Sequence, residues 1–189
     1  MSKKSIFLYV LFVVVLFGFG FYLLKTNKAQ LNLPSLKFPS TTPIPTKLIA
    51  SQSGELATVQ RVVDGDTIEL SDGRKVRYIG INTPELASSI KSVQCFANEA
   101  KEINKKLVEG KTIAMKKDIS ETDKYKRLLR YVWIPSASSG QVIFVNEYLV
   151  REGYAHQATY PPDVTHAELF KKAAEEARLE NKGLWNACK

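Results

Sequence analysis

Three short segments carry residue types able to act on a phosphate ester. The first is Val63-Asp64-Gly65-Asp66-Thr67, in which two carboxylates flank a glycine. Carboxylates are hard oxygen donors suited to a divalent cation. Taken singly, Asp-Gly is also an ordinary turn. The second is Arg77-Tyr78-Ile79-Gly80-Ile81-Asn82-Thr83-Pro84-Glu85. Its guanidinium offers a fork of N–H donors matched to phosphate oxygens. Its terminal carboxylate, just beyond Pro84, is of the type that takes a proton from water. The third is Asp123-Lys124-Tyr125-Lys126-Arg127, inside a basic stretch with Lys111, Lys116, Lys117 and Arg130. A tyrosine among cations suits a surface for phosphates and bases. Each segment alone also reads as plain surface: a polar turn, an exposed Arg or Glu, a solvated lysine loop.

The elements around these segments set their relative positions. Residues 56–63, 67–70 and 75–81 have strand-like patterning, and Ser71-Asp72-Gly73-Arg74 joins the second and third as a hairpin. Alternation puts Arg77, Ile79 and Ile81 on one face and Tyr78, Gly80 and Asn82 on the other. Phe96, Ala100, Ile103 and Leu107 follow helical spacing, with Gly110 where a C-terminal cap belongs. Strands follow at 112–117, 130–134 and 141–145. Asn146 is placed to cap a short helix ending at Gly153. Thr165 and Glu168 form a capping-box pattern for a last helix that Gly183 closes. Three strands, a helix, more strands and two helices give an α+β domain: a small barrel with about three packed helices.

The N-terminal part has a different composition. No charged residue lies between Ser5 and Leu24, and residues 6–24 are almost wholly apolar. At about 1.5 Å per residue, such a helix spans a hydrocarbon core of about 30 Å. The segment exceeds the usual apolar length of a signal peptide and ends without a small-x-small cleavage site. Residues 1–25 therefore read as an uncleaved single-pass membrane anchor, with secretion after signal cleavage as the alternative. Residues 26–54 read as a linker, with Pro34, Pro39, Pro43 and Pro45 favouring an extended spacer. Residues 55–189 form the folded domain, placed outside the cytoplasm. The net charge is +8, but residues 1–50 hold six lysines and no acid. The rest of the chain has 21 basic against 19 acidic side chains, so total charge alone does not argue for nucleic-acid binding. A hydrophobic content of 44% excludes a disordered chain.

The order Asp-Gly-Asp-Thr, then Arg with Thr-Pro-Glu downstream, then Asp-Lys-Tyr-x-Arg resembles the thermonuclease (staphylococcal-nuclease-like) family. The resemblance runs from about Thr58 to Trp185 and includes Val145-Asn146-Glu147, Leu149-Val150-Arg151-Glu152-Gly153 and Gly183-Leu184-Trp185. It implies an oligonucleotide-binding (OB-fold) barrel, a calcium ion and hydrolysis of DNA and RNA, single strands favoured. It implies no obligate protein partner and a monomer. Carried over residue by residue, Asp66, Asn82 and Thr83 match metal-binding positions, Thr83 through its main-chain oxygen, with Asp64 as a supporting acid. Glu85 matches the carboxylate that orients or deprotonates the attacking water. Arg77 and Arg127 match the two guanidinium groups on the phosphate. Lys124 and Tyr125 match positions near a terminal phosphate, and Tyr160 matches the wall of a base pocket.

The chain departs from the family pattern at three places. Asn82 stands where the family's reference enzyme has Asp, which removes one negative charge from the metal site and implies weaker calcium binding. Lys126 stands where a glycine is typical, and Arg130 where a small residue is usual; both add local positive charge. An exported domain permits a disulfide between Cys95 and Cys188, against the alternative of two free thiols. His156 and His166 lie outside the motifs, His166 on the surface of the last helix's first turn. Two other function classes stay open: an inactive nucleic-acid-binding barrel, and an envelope protein in which the anchor is the main feature.

Overall fold

The computed structural model describes residues 54–87, 90, 92–135 and 142–188. The expected anchor and all but the last residue of the linker lie outside them. Among the described residues, no helix is long and apolar enough to cross a membrane.

Five strands close into a barrel. β1 (Glu55–Asp64) pairs antiparallel with β2 (Thr67–Leu70), and β2 pairs antiparallel with β3 (Lys75–Tyr78). A short β4 (Ile81–Asn82) and helix α1 (Ala97–Val108) precede β5 (Thr112–Lys116), which lies antiparallel to β1. β6 (Leu128–Pro135) runs antiparallel to β5 and parallel to β3, and so closes the ring in the order 1-2-3-6-5. This is the OB-like architecture that the strand pattern anticipates. β7 (Val142–Phe144) extends the sheet beyond β6. Helix α2 (Val145–Arg151), β8 (His156–Gln157), helix α3 (Ala167–Leu179) and the short α4 (Leu184–Ala187) follow.

The barrel interior is apolar. Ile68, Leu70, Val76, Ile113 and Val132 are fully buried there, each stabilising the fold by about 1.5–3 kcal/mol relative to exposure. α1 packs on β1, and α2 packs on β6 and α3. The Cys95 and Cys188 sulfurs are bonded, with Cα atoms 5.8 Å apart.

Local details differ from the sequence expectations for physical reasons. The third strand does not run continuously from 75 to 81. Gly80 takes φ +79°, and a Cβ there would sit 2.3 Å from the Phe170 ring. The chain turns at Ile79-Gly80, and alternation across it breaks. Asn146 caps nothing: it lies inside α2, its side chain is buried, and it bonds the main chain of Val132 and Ile79. Thr165 is no cap either. Its hydroxyl donates to Asp118 at 2.7 Å, and α3 begins two residues later without a side-chain cap. Gly183 precedes α4 rather than ending α3, which stops at Leu179. His166 is half-buried, not a surface residue. Its ring lies 4.5 Å from that of Tyr131 and packs with Trp133, Phe144 and Phe170. The same Phe170 backs the Gly80 turn, so this aromatic cluster supports the turn that shapes the site.

Candidate active site

The site forms where the β1–β2 turn meets the segment that follows β4. Two irregularities in the β1–β2 register, the second between Val62 and Asp64, re-aim the end of β1. The turn is tight: the Asp66 amide donates to Asp64 Oδ1 at 3.0 Å. Gly65 presses against Thr83, whose side-chain atoms would lie 2.7 Å from any Cβ at that position. A glycine between the two acids is therefore required by close approach. Behind the turn, Asn104 of α1 donates to the Asp64 carbonyl at 3.3 Å and accepts from Tyr78 at 3.0 Å.

Asp66 is the hub. It is only 5% exposed. Its Oδ2 accepts from the Thr83 amide at 2.8 Å and the Thr83 hydroxyl at 3.0 Å. Arg77 Nη1 lies 2.9 Å from the same oxygen. Burial pushes the Asp66 carboxyl well above the usual carboxylate range; Arg77 opposes this rise, and Asp64 adds to it.

Arg77 meets Asn82 here, although strand alternation separates them. Its Nη2 donates to Asn82 Oδ1 at 2.9 Å, and Nη1 donates to the Ile81 carbonyl at 3.0 Å. The Gly80 turn brings the two together. Both Nη atoms of Arg77 are engaged, and among the described residues Nε has no acceptor, which leaves it as the donor available to an anion. Arg127 is held differently. Its Nε donates to Asp123 Oδ2 at 2.7 Å, and Nη1 donates to Thr67 at 3.3 Å. Asp123 Oδ1 also accepts from the amides of Tyr125 and Arg127, which folds residues 123–127 into a compact turn. In spite of burial, these bonds hold the Asp123 carboxyl below its ordinary range. Asp123 is a positioning group that motif reading left without a role; its spacing of four from Arg127 is the signal that could have found it.

Lys126 sits in that turn at φ +64°, a left-handed conformation that explains why glycine suits the position. Arg130 does not add surface charge. It is 6% exposed, ion-paired with Glu121 and bonded to the Leu129 carbonyl. Lys124 and Arg127 both lie over the ring of exposed Tyr125, at 5.0 and 5.5 Å from its centroid. Tyr160 is exposed on a separate loop that bridges to Asp163, and nothing ties it to the Asp66 hub.

Glu85 follows buried Pro84 and is exposed, its carboxylate without a partner among the described residues. A cleft of about 490 Å³ opens beside Asn82 and Thr83, walled by Gln94, His156, Trp185 and the disulfide. Gln94, Asp123 and Thr67 are the contacts that sequence reasoning missed; only the fold brings Gln94 to Glu85.

No cluster of three or more His, Cys, Asp or Glu side chains fit for a metal is present among the described residues. The oxygen-bearing groups gathered here that could hold a cation are Asp66, Asn82 and the Thr83 main chain, with Asp64 beside them. Two neighbouring carboxylates, one with its pKa raised by burial and mutual repulsion, fit a hard cation that would relieve that repulsion. Asn82 is a neutral amide whose Oδ1 already accepts from Arg77, so the group carries less negative charge than one with Asp at that position.

The family described as "Staphylococcal nuclease homologue" matches residues 75–187. The thermonuclease of Staphylococcus intermedius is 36% identical over 135 residues, covering 70% of this chain and 77% of the relative. The endonuclease YncB of Bacillus subtilis (strain 168) is 34% identical over 134 residues, covering 68% of this chain and 61% of the relative. The SPbeta prophage-derived endonuclease YokF of the same organism is 36% identical over 134 residues, covering 68% of this chain and 43% of the relative.

Proposed function

Because this chain belongs to the staphylococcal nuclease homologue family, we propose that it is a calcium-dependent nuclease that hydrolyses phosphodiester bonds of DNA and RNA. One observation carries the reading: an exposed, unpartnered carboxylate at Glu85 stands two residues beyond Thr83, which is locked to the Asp66–Arg77–Asn82 hub. Pure binding needs no such free carboxylate.

The residues divide the work as follows. Glu85 orients water and takes its proton. Arg77, through its Nε–H, binds a non-bridging phosphate oxygen, and Arg127 adds a donor from the 123–127 turn. Both stabilise charge that develops on phosphorus oxygens in the transition state. Asp66, Asn82 and the Thr83 carbonyl would hold calcium, with Asp64 as a supporting acid; the ion when bound supplies electrostatic stabilisation of that same charge. Lys124 and Tyr125 receive a neighbouring phosphate and sugar, and Tyr160 contacts a base by stacking, which tolerates any base. Residues 1–25 anchor the chain in the cell membrane, and residues 26–54 hold the catalytic domain off it on the extracytoplasmic side.

An inactive, tethered nucleic-acid-binding barrel is the second reading. The neutral Asn82 and the engagement of Arg127 by Asp123 favour it. The deciding experiment incubates the full-length chain in detergent with single-stranded DNA, in millimolar calcium or excess chelator. Cleavage with calcium alone supports the enzyme. Strand binding without cleavage in either condition supports the binding module.

A further inference from the structure

Among the described residues the Glu85 carboxylate has no partner, yet its backbone is held from both sides. Upstream, Pro84 is buried and Thr83 is bonded to Asp66. Downstream, the Glu85 amide donates to Gln94 Oε1 at 2.8 Å, and the Gln94 amide donates to the Glu85 carbonyl at 2.9 Å. These two bonds close the loop between residues 85 and 94. Of the described residues in that stretch, Ala87, Ser92 and Val93 are exposed.

The next residue, Cys95, is bonded to Cys188, 93 positions away. Cys188 follows α4 directly. α4 is docked by buried Leu184, whose amide donates to the Gly153 carbonyl at 2.9 Å. A continuous path therefore runs from the docked C-terminal turn, through the disulfide and Gln94, to Glu85. An exposed hydrogen bond is a weak tether by itself. The covalent tie keeps Gln94 where it can make two.

We propose that Gln94 is a positioning residue for Glu85, and that the Cys95–Cys188 bond holds Gln94 in place for that task. The proposal rests on the nuclease reading above. Orientation is where such a device acts: a shift of about 1 Å at a reacting group costs up to ~100-fold in rate. On this reading Gln94 acts through the Glu85 backbone, so its loss is expected to show in turnover rather than in binding.

The test compares Gln94→Met, which keeps the length but removes the acceptor, with Gln94→Glu, which retains an acceptor oxygen. Kinetics on a single-stranded oligonucleotide and hydrogen exchange at the Glu85 amide are measured on the full-length chain. The expected result for Gln94→Met is a kcat about 10-fold lower, KM within about twofold, and faster exchange at Glu85. Gln94→Glu restores slow exchange and most of kcat. The double variant Cys95→Ser/Cys188→Ser gives the Gln94→Met signature; should it fail to fold, the Gln94 pair decides alone. Unchanged kcat and exchange in Gln94→Met, or a rise in KM alone, overturns the proposal. If the unaltered chain cleaves nothing, the nuclease reading falls, and the exchange result still decides whether Gln94 fixes Glu85.

Discussion

Replacing Arg77 by Met probes the hub of the site. In the native chain Arg77 Nη1 lies 2.9 Å from Asp66 Oδ2, with side chains 16% and 7% exposed. The substitution keeps most of the apolar stem but leaves the Asp66 carboxylate buried without a counter-charge. Removing one partner of such a pair costs about 3–5 kcal/mol, a large share of the roughly 5–15 kcal/mol that stabilises a domain. The cost depends on pH. Burial already raises the Asp66 carboxyl, and Arg77 is what opposes that rise. Without Arg77 the folded-state pKa climbs further above the unfolded value. A group shifted that way favours the fold at low pH, and that favour is lost as pH rises through its folded pKa. The penalty is therefore larger at pH 8 than at pH 5, where Asp66 takes a proton. Urea unfolding of the full-length chain in excess chelator measures it. Adding Asp66→Asn to Arg77→Met removes the orphaned charge, so the double variant is more stable than Arg77→Met alone. A loss below about 1 kcal/mol, or a double variant less stable than the single, would refute the buried-pair reasoning.

Three further outcomes follow from the same geometry. Gly80→Ala puts a Cβ 2.3 Å from the Phe170 ring at φ +79°; the clash and the left-handed backbone together cost about 2–5 kcal/mol, read as a lower urea midpoint, and an unchanged midpoint counts against the turn. Burial holds the His166 pKa below its ordinary value, with Asp118 raising it and Lys116 lowering it. His166 is thus neutral in the fold, and stability drops as pH falls below about 6.5. Unfolding of His166→Phe at pH 7.5 and 5.5 is expected to show a smaller drop than the unaltered chain, and equal drops would contradict the assignment. Asn82→Asp adds a charge to the donor set, while Arg77, its present partner, offsets part of it. Calcium affinity by titration calorimetry is expected to tighten about 10-fold, or roughly 1.4 kcal/mol; no tightening places Asn82 outside the ion's reach.

The barrel and the approach of Asp66, Arg77 and Thr83 are legible in the sequence because strand alternation and motif order are local signals. Asp66, Arg77 and Thr83 come together as their order implies. The Gly80 turn is not legible, since Tyr-Ile-Gly-Ile continues a strand pattern and only contact with Phe170, ninety positions away, forces the break. Arg130 reads as surface charge for the same reason: its burial depends on Glu121 folding back over β6. The burial of Asn146 and His166 is likewise set by distant partners, Val132 and Tyr131, that no local pattern names. Gln94 is the clearest case, an exposed polar residue whose role arises from its contact with Glu85 across the loop.

The most direct test of the central claim is cleavage of single-stranded DNA by the full-length chain and by Glu85→Gln, each with millimolar calcium or excess chelator. Calcium-dependent cleavage is expected to fall at least ~100-fold in Glu85→Gln, with strand binding and the urea midpoint unchanged. Equal cleavage by both proteins would contradict Glu85 as the group that activates water.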